Sequence, residues 1–212
     1  MSALSGARTH FVLAYSGCDQ SVGEAALESA GPNGLVASNN GYDWLGTGVY
    51  FWESDPDRAL QWAEEARDRH AKRYRERGTP IRVRRPFVVG ALINLSNCLD
   101  LTTTEGVKLV REGHKGFMAD MKQVKSEDAN FTIPSNTTDR DMKGRYLDFA
   151  VINYTCQQYV KNNKVPIDTV RCVFAEGNDV YEGAGFQEKT HTQICVREPS
   201  RAILAFFRVP NP

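Results

Sequence analysis

The sequence predicts an α+β fold, with strands at the two ends of the chain and helices in the middle. Strand-like apolar runs occupy Thr9–Tyr15 and most of the last fifty residues, whereas the longest helical patterns lie between them. The two kinds of element do not alternate in the regular way that a doubly wound parallel sheet requires. We therefore expect mixed or antiparallel strand pairing.

Length and composition are those of an ordinary globular chain. The 212 residues are 41% hydrophobic and 25% charged, and neither repeats nor an obvious linker divide them, so we expect one domain spanning residues 1–212. The formal net charge is zero. A neutral chain has no general attraction to nucleic acid or to an anionic membrane, so any such attraction must come from a local patch.

The cysteines indicate a reducing compartment. Their number is odd and none forms a CxxC pair, which favours free thiols over disulfides or a zinc site (Cys18, Cys98, Cys156, Cys172 and Cys195). The four histidines have no metal-ligand spacing, so no metal is expected. No run approaches the roughly 18 apolar residues of a membrane span, and no signal peptide is evident. These observations predict a cytoplasmic protein that has no membrane partner.

The first strand is expected to stop at Ser16-Gly17-Cys18-Asp19. Asp19 can cap a helix that runs to about Glu28, before the turn residues Gly31–Gly34. The segment Gly41–Glu53 follows, in which closely spaced glycines lead into an aromatic strand, Tyr50-Phe51-Trp52. Glycines let a backbone approach a ligand closely, and aromatic rings offer flat faces for stacking.

A long helix should begin directly after this strand. Ser54 or Asp55 can cap it, Pro56 suits its first turn, and Gly78 ends it. Its apolar residues recur at helical spacing and face the sheet (Ala59, Trp62, Ala63 and Ala66). The arginine-rich stretch Arg67–Arg85 is interpreted as a solvated face in preference to a nucleic-acid surface.

The remaining elements are predicted from the same signals. A strand covers Pro86–Leu95, and a short helix opened by Thr103 or Thr104 should close at Gly113, with another turn or two after it. Ser126–Asp141 is expected to be a loop, and a clearer helix spans about 144–162. The last strands are Asp168–Ala175, Thr190–Arg197 and Ala202–Val209, and a polar loop, Glu176–Lys189, separates the first two.

Three features of the chain occur in an informative order: Tyr15-Ser16-Gly17 at the end of a strand, the motif Asp43–Glu53, and a late strand containing Gln193. Together they resemble the ADP-ribosyltransferase superfamily, on its diphtheria-toxin and poly(ADP-ribose)-polymerase side. The motif Asp43–Glu53 is similar in particular to that of bacterial toxin and phage-defence members. The resemblance implies split antiparallel or mixed β-sheets with flanking helices.

The same resemblance implies the catalytic positions. Ser16, Tyr50 and Gln193 stand where the family has its histidine, tyrosine and glutamate. A serine hydroxyl can bond a ribose but lacks the reach and charge of imidazole, and glutamine supplies neither an anion nor a base. These replacements favour transfer of a single ADP-ribose over polymer formation. Glu182 or Glu188, in the preceding loop, can supply the missing carboxylate.

NAD is the expected co-substrate. The resemblance implies that Tyr50 stacks on nicotinamide, that Trp62 covers the same ring, and that the Gly17 backbone pairs with the nicotinamide amide. It places further NAD contacts at Tyr15, Ser38, Asn39 and Gly48. The loop Glu176–Lys189 matches the segment that meets the acceptor. Breaking the bond between nicotinamide and ribose needs a clamp on NAD and an oriented acceptor, which such residues can provide.

Each candidate also has an ordinary structural role. Tyr50 can belong to the core, Trp62 can pack under the sheet, and Ser16 can be a turn residue at the end of a strand. Gln193 can be an exposed strand residue. His191, beside a polar loop, is interpreted as a surface residue and not as an acid or base.

The sequence thus predicts an NAD-dependent mono-ADP-ribosyltransferase that modifies a protein or a nucleic acid and releases nicotinamide. The resemblance suggests a toxin or defence effector, which would have an antitoxin or immunity partner. Two alternatives remain open. One is an NAD or ADP-ribose binding module with weakened or absent catalysis, since two triad residues are replaced; the other is hydrolysis of NAD by water.

Overall fold

A computed structural model describes residues 10–29, 34–139 and 143–210. Its strands are β1 (Phe11–Asp19), β2 (Val49–Glu53), β3 (Pro86–Asn94), β4 (Cys98–Asp100), β5 (Thr169–Phe174), β6 (His191–Val196) and β7 (Ile203–Arg208). Its helices are α1 (Gln20–Glu28), α2 (Pro56–Arg77), α3 (Thr104–Glu127), α4 (Tyr146–Asn163) and α5 (Pro199–Ala202). The turn predicted at Gly31–Gly34 lies outside the described residues except for Gly34.

The strands form one seven-stranded mixed sheet in the order β4-β5-β6-β2-β1-β3-β7. The β4–β5 pair is parallel, and the other five pairs are antiparallel. The α+β class predicted from the sequence is therefore confirmed. The resemblance implied split sheets, whereas the seven strands of the described residues form a single sheet in which only two residue pairs join β1 to β2.

Strand β1 is longer than the sequence predicted. It pairs with β3 without interruption from Phe11↔Asn94 to Asp19↔Pro86, so Ser16-Gly17-Cys18-Asp19 continues the strand and does not end it. The capping prediction for α1 is correct, because the Asp19 carboxylate accepts a hydrogen bond from Ser21 N–H at 3.1 Å. The same carboxylate also accepts the N–H groups of Arg84 and Arg85 at 2.7 and 3.0 Å. These bonds join the end of β1 to the segment that precedes β3.

Helix α2 has the predicted ends. Asp55 is its N-cap and accepts the Arg58 N–H at 2.9 Å, Pro56 opens it, and Gly78 ends it in the left-handed conformation at φ 66°. The middle of the chain differs from expectation, because α3 is one continuous helix of 24 residues. Gly113 lies inside it and does not close it. A Cβ at this position would overlap the Thr155 hydroxyl, so the glycine lets α3 and α4 approach closely.

Helices cover both faces of the sheet. On the α1 face, Ala14, Phe51 and Ile194 pack with Ala26 of α1 in the largest hydrophobic cluster. The opposite face, called here the α2 face, carries Tyr15, Trp52 and Gln193, which the strand register aligns across three strands. Helix α2 covers one part of that face, and α3 and α4 cover another. Of the predicted site residues, Tyr15, Tyr50 and Gln193 lie on the central strands of this face.

Candidate functional site

The junction of β1 and β2 is the first element of the candidate site. Only two residue pairs join these strands, Ala14↔Glu53 and Tyr15↔Trp52. One further bond, from Ser54 N–H to the Leu13 carbonyl at 2.9 Å, lies beyond Glu53. Towards the other end of β2, its pairing with β1 stops at Trp52, although β1 continues to Asp19. We call this opening the strand gap: it lies between Gly17 on β1 and Tyr50 on β2.

The direction of the backbone groups in the strand gap follows from the register. Successive residues of a strand direct their N–H and C=O groups to alternate sides. Because the Leu13 carbonyl points towards β2, the N–H and C=O of Gly17 point the same way. Trp52 pairs with Tyr15, so the backbone groups of Tyr50, two residues away, point towards β1. Gly17 and Tyr50 thus face each other across the gap with their hydrogen-bonding groups.

Ser38 closes the far end of the strand gap. Its N–H donates to the Gly48 carbonyl at 2.7 Å, and the Gly48 N–H donates to the Ser38 carbonyl at 3.0 Å. The Ser38 hydroxyl donates to Asp43 at 2.7 Å, where burial raises the pKa of the Asp43 carboxyl. Neighbouring Asn39 accepts a bond from the Thr47 hydroxyl at 2.8 Å. The segment at Ser38 therefore takes the place of β1 beside Gly48, and the structure brings Gly17, Ser38, Gly48 and Tyr50 to one gap.

Tyr50 is held firmly. Its hydroxyl donates to the Gly46 carbonyl at 2.7 Å and accepts the Leu45 N–H at 2.9 Å. The ring packs against the cluster that includes Leu45 and Cys195. Burial raises the pKa of Tyr50 well above its ordinary value, so the phenol stays protonated. Tyr50 therefore offers a fixed ring and has no hydroxyl free for acid–base chemistry.

Trp62 packs against Trp52 on the α2 face. Its ring lies 5.6 Å from that of Trp52, centroid to centroid, in a tilted arrangement. Tyr15 and Ala59 belong to the same hydrophobic cluster. Among the described residues, no ring contact joins Trp62 to Tyr50. This contact fits the packing role considered for Trp62, and its stacking on nicotinamide stays a prediction.

Gly17 has a structural reason to be glycine as well. A Cβ at this position would overlap the Ala59 carbonyl oxygen of α2 and would lie 3.2 Å from the Ala63 Cβ. Since the overlapping atom belongs to the helix backbone, no side chain can be accommodated without moving α2. Gly17 therefore lets α2 approach the sheet closely, and its N–H and C=O also point into the strand gap.

Ser16 and Gln193 are both buried but lie on opposite faces of the sheet. Gln193 pairs with Trp52 on β2 and with Cys172 on β5, so its side chain is on the α2 face with those of Trp52 and Tyr50. Ser16 alternates with Tyr15 and lies on the α1 face between Ala14 and Cys18. The structure brings Gln193 and Tyr50 to one face and does not bring Ser16 to it.

The two loop carboxylates proposed for catalysis are solvent-exposed. Glu182 lies at the exposed tip of the loop, and Glu188 lines a surface cleft near the start of α2. A third loop carboxylate, Glu176, is the one that reaches the protein interior. It accepts a hydrogen bond and ion pair from Arg58 Nη2 at 2.7 Å.

His191 is buried, contrary to the surface position expected from the sequence. It is 6% exposed, and its Nδ1 lies 2.7 Å from the Lys189 carbonyl. Burial lowers the pKa of His191, and the Arg58 charge lowers it further, while the Lys189 carbonyl, Glu176 and Asp55 act in the opposite direction. A neutral imidazole that bonds a carbonyl through Nδ1 must carry its proton there. Nε2 is then a hydrogen-bond acceptor.

His191 belongs to a group that we call the polar cluster: Trp52, Arg58, Glu176 and His191. Arg58 is 7% exposed, and its Cζ lies 5.8 Å from the centroid of the Trp52 ring. The Trp52 and His191 rings are 6.2 Å apart. Within the polar cluster, four buried nitrogens have no hydrogen-bond partner among the described protein atoms: Trp52 Nε1, Arg58 Nε, Arg58 Nη1 and His191 Nε2. One sequence signal was available, since Arg58 precedes Trp62 by four residues and so shares its helix face.

A cleft of about 320 Å³ lies beside the polar cluster and shares Arg58 with it. Arg58 and Thr190, the neighbour of His191, are among its lining residues, which also include Asp55, Asp57, Gln61, Glu188 and Lys189. Both cations are already paired: Arg58 with Glu176, and Lys189 with Glu65 at 2.7 Å. No ion pair among the described residues joins Asp55, Asp57 or Glu188 to a cation. The opening of the cleft therefore has an excess of negative charge.

The described residues contain no group of three histidine, cysteine, aspartate or glutamate side chains that could hold a metal ion. Within the same ranges, no helix combines the length and hydropathy that crossing a bilayer requires. All five cysteines are free thiols.

Comparisons with protein-family models, curated proteins and solved structures give no match to this chain. Its function is therefore argued from the geometry of the strand gap and the polar cluster.

Proposed function

We propose that the chain is an NAD-dependent mono-ADP-ribosyltransferase that binds nicotinamide in the strand gap. One observation supports this most directly: Gly17 and Tyr50 direct their backbone hydrogen-bonding groups towards each other where β1 and β2 separate. The nicotinamide amide has an NH₂ donor and a carbonyl acceptor. The N–H and C=O of Gly17 are the complementary pair.

The surroundings of the strand gap suit an aromatic leaving group. Tyr50 supplies a ring fixed by two hydrogen bonds, and Gln193 lies on the same sheet face, two residues along the neighbouring strand from Cys195, the partner of Tyr50. Cleaving the bond between nicotinamide and ribose develops positive charge on the sugar, and the departing ring takes the bonding electrons. Positioning the ring and the ribose supplies much of the catalysis that this reaction needs. The Gln193 amide can orient a ribose hydroxyl but provides no negative charge.

A binding module is the second candidate, and one observation favours it. Ser16 and Gln193 carry no charge, Glu182 and Glu188 are exposed, and Glu176 is committed to Arg58. The Asp43 carboxylate, which lies at the Ser38 end of the strand gap, already accepts hydrogen bonds from Ser38 and Asn40. A site of this composition can hold NAD or ADP-ribose without cleaving NAD.

The test uses NAD labelled in its adenylate half, incubated with the protein and a cell extract. Label on protein or nucleic acid, identified by separate protease and nuclease digestion, is the expected outcome. Tyr50→Ala should lower transfer at least about tenfold because the stacking ring is lost, whereas Tyr50→Phe, which keeps the ring, should retain more activity.

The other outcomes separate the rivals. Release of free ADP-ribose without macromolecular label would indicate hydrolysis by water. Saturable NAD binding without nicotinamide release would indicate a binding module. A folded wild-type protein that neither binds nor cleaves NAD would exclude the proposal.

A further inference from the structure

We propose that the polar cluster is a binding site for the vicinal diol of a ribose, which enters through the cleft between the start of α2 and the loop before β6. The choice of ribose among diols rests on the proposed function. The site itself is inferred from the unpartnered groups of Trp52, Arg58 and His191.

These groups are deeply buried, and leaving them unpartnered is costly. Trp52 is 2% exposed, and Arg58 and His191 are both less than a tenth exposed. A buried donor or acceptor without a hydrogen bond lowers the stability of the folded chain. With four such nitrogens in one cluster, a polar ligand can gain several hydrogen bonds at once. A ligand that forms these bonds would remove the cost.

The hydrogen-bonding roles of the cluster define the ligand. Trp52 Nε1 and the two Arg58 nitrogens can only donate, whereas His191 Nε2 accepts because the ring proton lies on Nδ1. The ligand must therefore offer at least one donor together with several acceptor lone pairs. One hydroxyl can donate to His191 and accept from at most two donors, which leaves one nitrogen unpartnered. Two adjacent hydroxyls have enough lone pairs for all four nitrogens.

The charges of the site disfavour an anion. The Arg58 charge is balanced by Glu176, and the imidazole is neutral. The cleft adds Asp55, Asp57 and Glu188, whose carboxylates would repel a phosphate or carboxylate at a few ångströms. A neutral diol avoids this repulsion and still satisfies the donors. Inorganic phosphate is accordingly the matched negative probe.

The diol can come from NAD or from a ribonucleotide acceptor, and the test distinguishes them. Isotope-labelled protein is titrated with adenosine, 2′-deoxyadenosine, NAD and inorganic phosphate, while the indole N–H signal of Trp52 and the Nε2 signal of His191 are followed by NMR. Adenosine should shift both signals. The deoxy analogue, which lacks one hydroxyl, should bind about tenfold more weakly. Adenosine contains no nicotinamide, so this result does not depend on whether NAD is cleaved.

Two variants assign the effect to the cluster. His191→Asn retains an amide N–H that can bond the Lys189 carbonyl but removes the Nε2 acceptor, so adenosine should bind about tenfold more weakly. His114→Asn makes the same change at an exposed position on α3 and should leave binding unchanged. If His191→Asn fails to fold, comparing the binding of adenosine and 2′-deoxyadenosine to the wild-type protein still tests whether the cluster binds the diol.

Competition identifies the source of the ribose. NAD that displaces adenosine from the polar cluster would assign the site to an NAD ribose. NAD that binds while adenosine still shifts the Trp52 and His191 signals would assign it to the acceptor. The proposal is overturned if neither nucleoside nor NAD shifts these signals, if phosphate shifts them equally, or if 2′-deoxyadenosine binds as tightly as adenosine. A crystal structure grown with adenosine that shows only water at the cluster would overturn it as well.

Discussion

Two regions of the α2 face treat buried polar groups differently. Under α3 and α4, Arg197 Nη1 donates to the Thr47 carbonyl at 3.1 Å and to Asn153 Oδ1 at 2.9 Å, and Thr155 donates to the Val151 carbonyl at 2.7 Å. Under the start of α2, four nitrogens of Trp52, Arg58 and His191 have no partner among the described protein atoms. The first region satisfies these groups within the protein and leaves one buried nitrogen, Arg145 Nε, without a partner, whereas the second leaves four and has the composition of a binding site.

The largest effect is expected in the region that needs no ligand. Leu109 of α3 is 5% exposed and packs in the cluster with Ile152 and Cys156. Leu109→Ala should lower the free energy of unfolding by about 3 kcal/mol because it removes buried methyl groups and leaves a cavity. Chemical denaturation measures this change. A loss below about 1 kcal/mol would show that α3 contributes little to the stability of the sheet.

A smaller effect is expected when the polar cluster is altered. Arg58→Met should lower the free energy of unfolding by about 2 kcal/mol, because Glu176 then remains largely buried without its cation. The double variant Arg58→Met/Glu176→Gln should recover about half of this loss, since the unpaired charge is gone. Denaturation of both variants checks the prediction. Equal stability of the single and double variants would contradict a coupled Arg58–Glu176 pair.

The smallest effect is a pH dependence. Burial lowers the pKa of His191 below its unfolded value of about 6.5, so the unfolded chain binds more protons on the acid side. The free energy of unfolding should therefore fall as the pH drops below about 6.5, and His191→Asn should reduce that fall. Denaturation at pH 7.5 and pH 5.5 measures the difference.

His70 provides the matched comparison for this prediction. Burial and the charges of Arg69, Arg73 and Arg82 also lower its pKa, but it lies on α2 away from the polar cluster. His70→Asn should remove a separate part of the acid dependence. An acid dependence that His191→Asn leaves unchanged would show that folding does not lower the pKa of His191.

The sequence predicted elements whose ends depend on local signals. Asp55, Pro56 and Gly78 mark the ends of α2, and the structure has them in those roles. Gly113 was wrongly predicted to end a helix. It is glycine because Thr155, 42 positions away in the chain, packs directly against it, and no local pattern reveals such a contact. Strand β1 was predicted too short for a similar reason: its extension depends on pairing with β3.

The same distinction applies to the candidate site. Gly17, Gly48 and Tyr50 belong to recognisable motifs, and the structure places them at the strand gap. The polar cluster was missed because Arg58 is one charge among many on α2 and His191 stands beside a polar loop. Their burial arises from tertiary packing of α2 and the loop over the sheet. Ser16 and Gln193 lie on opposite faces of the sheet because of the strand register, which could not be predicted from the sequence alone.

The position of β6 has a consequence for how the protein assembles. This strand lies between β5 and β2, and its pair Tyr50↔Cys195 joins residues 145 positions apart in the chain. A sheet that depends on such distant contacts is expected to fold slowly compared with one built from hairpins. During synthesis, β1, β2 and β3 can pair early, but Gln193 and His191 arrive only with the last strands. Until β6 is added, β2 is an edge strand, and Trp52 has the cover of Trp62 from α2 but not that of His191.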